Sequence, residues 1–276
     1  MSRGISVGAV FIAIPFLCLT ARARQMSRIS APNPPMKVVL VGDSTVALQG
    51  GWGPGFCARL IASAQCIDLA ANGRSTKSFI DEGLWAKALQ EHGQFYFIQF
   101  GHNDQKHRPA LFTDPQTTFQ ANLDRFVRDV RRFGGTPVLV TSLSRRNYRN
   151  GKLIVDPLRD YAAATRRVAA KDRVPLIDLY RRSRALLKPM TQQQADRYDL
   201  NTLDGVAAPK PDRTHLNTLG KKTFGDMVAH AAWQNVPALR PYILFRAARK
   251  QASSPVPLRP SMPARKTPFP VSMAMM

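Results

Sequence analysis

Five short apolar runs, which alternate with segments of helical periodicity, constrain the fold of this chain more than any other feature. The runs are predicted strands, at residues 37–41, 66–70, 95–100, 137–143 and 174–179. Continuous apolar runs are typical of strands buried on both faces, and alternation with helices favours parallel pairing. The pattern therefore predicts an α/β fold, a three-layer α/β/α sandwich with a five-stranded parallel sheet.

Six segments between and after these strands are predicted helices, at residues 56–64, 77–91, 117–132, 160–171, 181–187 and 215–232. The clearest is 117–132, where apolar side chains recur at helical spacing and Gly134-Gly135 follow as a stop signal. In such sheets the ligand lies beyond the carboxyl ends of the strands. We therefore expect the functional residues in the loops that follow the strands.

The two ends of the chain differ in composition from its middle. Residues 5–20 are almost wholly apolar and follow Arg3, and Ala21-Arg22-Ala23 resembles a small-x-small cleavage site. The apolar stretch is shorter than the roughly 20 residues of a membrane span. We expect a signal peptide that directs the protein to the periplasm or out of the cell and leaves no stable membrane span. An uncleaved anchor or a wrongly assigned start codon is the alternative.

The last residues are rich in proline and basic side chains and carry no acidic ones, a composition that builds no core. The chain is therefore divided into four predicted parts: a signal peptide at 1–23, a linker at 24–35, a folded domain at 36–246, and a disordered basic tail at 247–276.

The net charge is strongly positive, with 40 Lys and Arg against 18 Asp and Glu, or +22. A field of this sign attracts polyanions such as acidic polysaccharide, although a solubility effect is an equally simple explanation. We expect no nucleic-acid partner, because no compact Lys/Arg run is interleaved with aromatic residues.

Histidine and cysteine are scarce, at five and three residues, and too scattered for a zinc module. No metal site is expected. Cys57 lies in a predicted helix and Cys66 opens a predicted strand. An exported protein can bridge such a pair, and two buried free thiols are the alternative.

A serine follows the first predicted strand, in the turn Gly42-Asp43-Ser44-Thr45. A serine held on a tight turn at the edge of a sheet is exposed as a nucleophile needs to be, but this tetrapeptide alone is also ordinary turn chemistry. A serine nucleophile requires a base and a carboxylate that orients it. Asp212 and His215, three residues apart at a predicted helix start, supply both, and helix capping is the alternative.

Two further turns follow predicted strands, at Asn72-Gly73 and at Gly101-His102-Asn103-Asp104. An acyl-transfer site must place hydrogen-bond donors around the developing oxyanion. The Gly73 N–H and the Asn103 side-chain amide are suitable donors. Each turn by itself is equally compatible with a simple loop.

Taken in order, these blocks resemble the SGNH (GDSL-like) hydrolase superfamily, and within it the rhamnogalacturonan acetylesterase-like branch. The resemblance covers residues 36–232 and includes further blocks, among them Gly51-Trp52-Gly53, Gly73 to Phe79, Glu82-Gly83-Leu84-Trp85 and Asp212 to Asn217. It implies a flavodoxin-like sandwich with five parallel strands, and an SGNH hydrolase domain at 36–246.

The resemblance also implies roles. Ser44 would attack the ester carbonyl, His215 would carry the proton, and Asp212 would orient His215. The N–H groups of Ser44 and Gly73, with the Asn103 amide, would form the oxyanion hole. The family needs no metal or cofactor.

Four other residues in the matched blocks are candidates to bind substrate: Trp52, Arg74, His102 and Asp104. Each has a structural alternative. Trp52 can pack in the core, Arg74 can form a local salt bridge, and Asp104 can hold its loop through backbone hydrogen bonds.

The expected function is that of a secreted, monomeric serine esterase that deacetylates a polysaccharide, with pectic rhamnogalacturonan as the substrate that the branch favours. The alternatives are another acetylated glycan such as xylan, a small acyl ester, or, in a different class, a polyanion-binding protein without catalysis.

Overall fold

The computed structural model describes residue 1, residues 35–202 and residues 209–244. The predicted signal peptide, linker and basic tail lie outside these ranges, apart from residues 1 and 35, and stay predictions. Within the described ranges, no helix combines the length and the apolar character needed to cross a membrane.

One parallel sheet organises the domain. Its strands are β1 (Met36–Gly42), β2 (Ala64–Asp68), β3 (Phe95–Gln99), β4 (Thr136–Val140) and β7 (Leu176–Ile177). They pair in the order β2-β1-β3-β4-β7, and every pairing is parallel. Between β4 and β7 a short antiparallel hairpin is formed by β5 (Tyr148–Arg149) and β6 (Lys152–Leu153). The five-stranded parallel sheet predicted from the sequence is confirmed.

Eight α-helices lie within the described ranges: α1 (Gly53–Cys57), α2 (Thr76–Asp81), α3 (Leu84–Leu89), α4 (Thr118–Arg132), α5 (Leu158–Lys171), α6 (Leu179–Leu187), α7 (Gln192–Asp196) and α8 (Thr218–Asn235). A 3₁₀ helix, Pro237–Tyr242, follows α8.

The helices cover both faces of the sheet. Along β1, Val38 and Leu40 face a core formed with α1, α6 and α8, whereas Val39 and Val41 face a second core formed with α2, α3, α4 and α5. Because side chains alternate across a strand, a strand that is apolar at every position must be covered on both sides. This arrangement is the predicted three-layer sandwich.

Three predicted helices agree with the structure to within two residues at each end, and the other three differ more. The segment predicted as a helix at 56–64 is helical only to Cys57, because Leu60 instead forms a β-bridge with Ile243. The helix predicted at 77–91 is two helices, divided at Gly83, whose φ of +73° interrupts the helical backbone. The last helix begins at Thr218 rather than at His215, because Asn217 caps it by accepting from the Gly220 N–H at 2.9 Å.

The two cysteines left open by the sequence are joined by a disulfide. Cys57, at the end of α1, is bonded to Cys66 in the edge strand β2, with 5.6 Å between their Cα atoms. The bridge fixes the residues between them, which the helix prediction had placed in a longer α1.

Candidate active site

The order of the strands places the site. β1 is flanked by β2 and β3, and the loops after these three strands carry Ser44, Gly73 and Asn103. The carboxyl ends of parallel strands lie at the same edge of the sheet. The serine therefore sits between the two loops that offer hydrogen-bond donors.

The turn that carries Ser44 is stabilised by hydrogen bonds to a buried carboxylate. Asp43 is fully buried, and its Oδ1 accepts from the Thr45 N–H at 2.9 Å and from the Thr45 hydroxyl at 2.7 Å. Gly42, just before it, has no room for a side chain, since a Cβ there would lie 2.5 Å from the Gln99 carbonyl oxygen. These contacts fix the backbone on which Ser44 is presented to the solvent side.

Ser44, His215 and Asp212 form one hydrogen-bonded chain. The Ser44 Oγ lies 2.7 Å from His215 Nε2, and His215 Nδ1 lies 2.8 Å from Asp212 Oδ2. A carboxylate can only accept, so the imidazole proton belongs on Nδ1 and leaves Nε2 free to accept from the serine hydroxyl. This tautomer is the one in which a histidine acts as a general base toward a serine.

Asp212 stays ionised in this arrangement. Burial raises the pKa of its carboxyl, but hydrogen bonds from the His215 N–H and ring and from the Thr214 N–H outweigh burial and hold the pKa below its usual value. The backbone bonds are 3.0 Å from His215 N–H and 3.1 Å from Thr214 N–H, both to Oδ1. A permanently negative group therefore faces the ring that must take up a proton.

A buried ion pair supports the loop that carries Asp212 and His215. The side chains of Arg146 and Asp199 are both inaccessible to solvent, and Arg146 Nε donates to Asp199 Oδ1 at 2.5 Å. Arg146 Nη2 donates to the His215 carbonyl oxygen at 2.6 Å and to that of Asp212 at 3.3 Å. The guanidinium thus links the carbonyls of Asp212 and His215, in the loop before α8, to Asp199, which follows α7.

Three residues that line the cleft beside the serine have unoccupied hydrogen-bond donors. The backbone N–H groups of Ser44 and Gly73 donate to no acceptor within the described ranges, and the Asn103 amide has one N–H bound to the Arg74 carbonyl oxygen at 3.0 Å and one left over. Gly73 has φ +79°, a backbone region that favours glycine. Unoccupied donors beside a nucleophile are what an oxyanion needs.

The serine, the histidine and these donors share an open cleft of about 270 Å³. It is lined by Ser44, Gln49, Gly50, Asn72, Gly73, Asn103, Lys106, Leu200 and His215. A larger groove of about 360 Å³ lies between α1 and α8 and contains no member of the Ser–His–Asp chain. The cleft, not the larger groove, is the site for chemistry.

Three of the four residues expected to bind substrate are buried below the cleft instead. Trp52 is fully inaccessible, and its indole N–H donates to the Gln99 side chain at 2.8 Å. His102 is buried and its Nδ1 lies 3.7 Å from the carboxylate of Asp43. The predictions for Trp52 and His102 were therefore wrong: both side chains pack beneath the nucleophile turn.

Asp104 and Arg74 also have structural partners. The buried Asp104 carboxylate accepts from the hydroxyls of Thr76 and Thr113 at 2.6 and 2.7 Å and so holds the loop that carries Asn103. Arg74 pairs with Glu82 at 2.9 Å and does not line the cleft. The structural alternatives given for both residues describe them correctly.

Sequence reasoning did not identify Gly50, Lys106, Leu200 or the Arg146–Asp199 pair. Gly50 lies so close to His215 that a Cβ at position 50 would lie 2.9 Å from the His215 Cβ. Lys106 carried a signal in its spacing, since it follows Asn103 by one turn. Arg146 carried none, because a lone arginine in a sequence is normally read as a surface residue.

The part of the chain that the structure describes contains no group of three or more His, Cys, Asp or Glu side chains that could hold a metal ion. The cleft presents a hydroxyl, an imidazole and amide donors, and the Asp212 carboxylate is hydrogen-bonded to the imidazole from outside the cleft lining. Together they form a site for acyl transfer from an ester to water.

The comparison with known sequences agrees with this class of site. Residues 40–223 match the GDSL-like lipase/acylhydrolase family, and the match includes Ser44, the strand-end loops, Asp212 and His215. The chain belongs to this family and is a carboxylic ester hydrolase.

The similar proteins place it more closely. The chain is 33% identical over 201 residues to the probable rhamnogalacturonan acetylesterase YesY of Bacillus subtilis (strain 168), a match that spans 70% of this chain and 90% of the relative. It is 32% identical over 234 residues to the rhamnogalacturonan acetylesterase RhgT of the same organism, spanning 78% and 97% of the two chains. The resemblance to that branch of the SGNH superfamily is confirmed.

Solved structures share the fold. The crystal structure of the Bacillus subtilis protein YxiM superimposes with a TM-score of 0.58 at 20% identity, over 72% of this chain. The match spans 56% of that longer protein. At this identity the likeness supports the architecture alone.

Proposed function

We propose that this esterase removes acetyl groups from an acetylated polysaccharide, and that the polysaccharide is pectic rhamnogalacturonan. One observation carries the proposal: a Ser44–His215–Asp212 hydrogen-bonded chain opens into an exposed cleft, in a sequence 32–33% identical to proteins named as rhamnogalacturonan acetylesterases. A cleft open to solvent suits an acetyl group that projects from a long chain.

The first half of the reaction forms an acyl-enzyme. Ser44 Oγ attacks the acetyl carbonyl carbon while its proton moves to His215 Nε2, which Asp212 orients and stabilises as an imidazolium. The carbonyl oxygen becomes an oxyanion that accepts from the N–H groups of Ser44 and Gly73 and from the Asn103 amide. The C–O bond to the sugar then breaks, and the imidazolium returns the proton to the sugar oxygen.

The second half releases acetate. A water molecule takes the place of the sugar, His215 Nε2 removes its proton, and the resulting hydroxide attacks the acetyl carbon bound to Ser44. The same three donors stabilise the second oxyanion. Its collapse frees acetic acid, which ionises to acetate in water, and the His215 imidazolium returns its proton to Ser44 Oγ.

The charge of the protein supports an anionic polymer as the substrate. The net charge is +22 for the full chain and 38 − 18 = +20 without Arg3 and Arg22 of the predicted signal peptide, and one of the remaining cations, Lys106, lies at the cleft itself. Rhamnogalacturonan carries galacturonate carboxylates, which a positive field attracts. Xylan and small acyl esters would gain much less from it.

Export is part of the same proposal. The apolar segment at residues 5–20 and the Ala21-Arg22-Ala23 sequence favour a cleaved signal peptide, and the Cys57–Cys66 disulfide suits an oxidising compartment. Sequencing of the N-terminus of the protein recovered from the periplasm or the medium should begin at Arg24. A chain that keeps Met1 and stays in the cytoplasm would contradict export.

The direct test of the substrate is acetate release from acetylated rhamnogalacturonan, acetylated xylan and 4-nitrophenyl acetate. The wild type should act best on the pectic polymer, and Ser44→Ala should lose about 10³-fold or more in kcat on all three. Ser63→Ala, which removes an exposed hydroxyl at the amino end of β2, the opposite end of that strand from the site, is the matched control and should keep full activity. Preference for xylan or for the small ester would reject rhamnogalacturonan as the substrate while keeping the esterase.

A further inference from the structure

Lys106 is the cation that lines the cleft, and its side chain turns back on the loop that carries it. Its Nζ donates to the Asn103 Oδ1 at 2.6 Å, and its backbone N–H donates to the Asn103 carbonyl oxygen at 3.0 Å. Lys106 is exposed while Asn103 is almost fully buried. The contact therefore joins a solvent-side charge to a side chain fixed inside the site.

The partners of Asn103 leave its amide a single orientation. A lysine ammonium can only donate, so the atom it contacts must be the amide oxygen. The Arg74 carbonyl can only accept, so the atom that lies 3.0 Å from it must be the amide nitrogen. Both contacts require the same assignment, and a flipped amide would set donor against donor and acceptor against acceptor.

This orientation leaves one N–H for the reaction. A primary amide has two N–H groups. One is committed to the Arg74 carbonyl, and the other has no acceptor within residues 35–202 and 209–244. That remaining N–H belongs to a side chain that lines the cleft beside Ser44.

We propose that Lys106 is a positioning residue of the oxyanion hole, which locks the Asn103 amide with its free N–H toward the substrate and polarises that N–H. A positive charge on the amide oxygen draws electron density away from the nitrogen and makes its hydrogen a stronger donor. The gain is largest when the acceptor is an oxyanion, so Lys106 stabilises the transition state more than the bound ester. The inference rests on the oxyanion role proposed for Asn103.

The consequence is a change in kcat with little change in KM. Lys106→Met removes the ammonium but keeps a long unbranched side chain, and kcat should fall by about 10- to 30-fold, a part of the 10²–10³-fold that loss of one oxyanion donor costs. Lys106→Arg, whose guanidinium can also donate to the amide oxygen, should keep most of the activity. 4-Nitrophenyl acetate is the substrate to use, because it is uncharged and contains no sugar.

A matched control separates this role from simple support of the loop. Lys77 also reaches this loop, where its Nζ donates to the Pro109 carbonyl oxygen at 2.6 Å, but it contacts neither Asn103 nor the cleft. Lys77→Met should therefore leave kcat unchanged. The thermal midpoints of Lys106→Met and the wild type, measured alongside, should agree, because Lys106 is exposed.

The decisive measurement is the double-mutant cycle with Asn103→Ala. If Lys106 acts through Asn103, then Lys106→Met should cost nothing further in kcat once Asn103 is alanine. The proposal would be overturned if Lys106→Met were as active as the wild type. It would also be overturned if Lys106→Met lowered kcat by the same factor in the Asn103→Ala background as in the wild type. Because the substrate in this test is a small ester, neither result depends on whether the natural substrate is rhamnogalacturonan.

Discussion

Asp212 combines two tasks in one carboxylate. Its Oδ1 accepts from the N–H groups of Thr214 and His215 and so shapes the loop, while its Oδ2 accepts from the imidazole. An amide in its place could still accept from the backbone through its oxygen, but its NH₂ group would face His215 Nδ1. The ring would then carry its proton on Nε2, the wrong tautomer for a base.

Asp212→Asn should therefore fold normally and lose about 10⁴-fold in kcat on 4-nitrophenyl acetate. Circular dichroism and the thermal midpoint would establish that the fold is kept. A variant within tenfold of the wild type would mean that His215 does not depend on Asp212 for its tautomer.

Asp68 shows the opposite case, a carboxylate held without adequate partners. It accepts from the Ala70 N–H at 3.1 Å through Oδ1, but its buried Oδ2 has no hydrogen-bond partner within the described residues. Burial raises its pKa to about 6, from an ordinary value of 3.8, against the lowering effect of that one bond. Ionised Asp68 therefore destabilises the folded protein.

The pH dependence follows from the direction of that shift. Between pH 3.8 and about 6 the folded state holds a proton on Asp68 that the unfolded state has lost, so the free energy of unfolding falls as the pH rises through this window. Asp68→Asn removes the effect. Relative to the wild type, it should gain about 2–3 kcal/mol at pH 8 and little at pH 4.

Urea denaturation at pH 4, 6 and 8, with the exposed Asp81→Asn as the matched control, measures this difference. Asp81→Asn should follow the wild-type curve throughout. An Asp68→Asn protein that is no more stable than the wild type at pH 8 would show that Oδ2 has a favourable partner in solution.

At the scale of elements, the loop before α8 depends on Arg146. This fully buried guanidinium joins the carbonyls of Asp212 and His215, which are partly exposed, to the buried Asp199. Removal of one partner from a buried ion pair leaves a charge without compensation and costs about 3–5 kcal/mol, whereas replacement of both by apolar groups is often neutral.

Arg146→Met should therefore lower the free energy of unfolding by about 3–5 kcal/mol, and Arg146→Met with Asp199→Leu should recover most of it. The double variant should still have a low kcat, because both catalytic-loop carbonyls have lost their donor. Arg145→Met breaks a neighbouring, partly exposed pair with Asp156 and should cost about 1 kcal/mol or less. A double variant as unstable as the single one would contradict this account of the pair.

The elements also show what the sequence can predict. The strands were predictable because both faces of the sheet are covered, which makes the central strands β1, β3 and β4 mostly apolar. The bounds of the helices were harder to predict from the sequence. The end of α1, for example, is set by the bridge from Leu60 to Ile243, more than 180 residues later. The division at Gly83 lay in the sequence as a glycine, but its positive φ depends on the packing of two helices.

The sequence could predict those site residues whose positions follow from the order of strands in a parallel sheet. Ser44, Gly73 and Asn103 follow three strands, and a parallel sheet brings such ends together. Trp52 and His102 were misplaced because a motif fixes which residues are present and not whether they lie above or below the backbone. A buried ion pair such as that of Arg146 has no periodic pattern, so no reading of one sequence identifies it.

At the scale of the whole molecule, the net charge, 38 − 18 = +20 without the predicted signal peptide, acts on any polyanionic substrate. With acetylated rhamnogalacturonan the apparent KM should rise severalfold as NaCl increases from about 0.05 to 0.5 M, because salt screens the attraction between charges. With 4-nitrophenyl acetate, which is neutral, KM should not change. A KM for the pectic polymer that is independent of salt would show that the positive surface does not help to recruit it.

The central claim is that Ser44 carries the acyl group during turnover, and its most direct test is acid-quenched mass spectrometry of the enzyme mixed with 4-nitrophenyl acetate. The account predicts the added mass of one acetyl group on the peptide that contains Ser44, and no adduct in Ser44→Ala. An acetyl group on another residue, or an undiminished burst of 4-nitrophenol from Ser44→Ala, would contradict it.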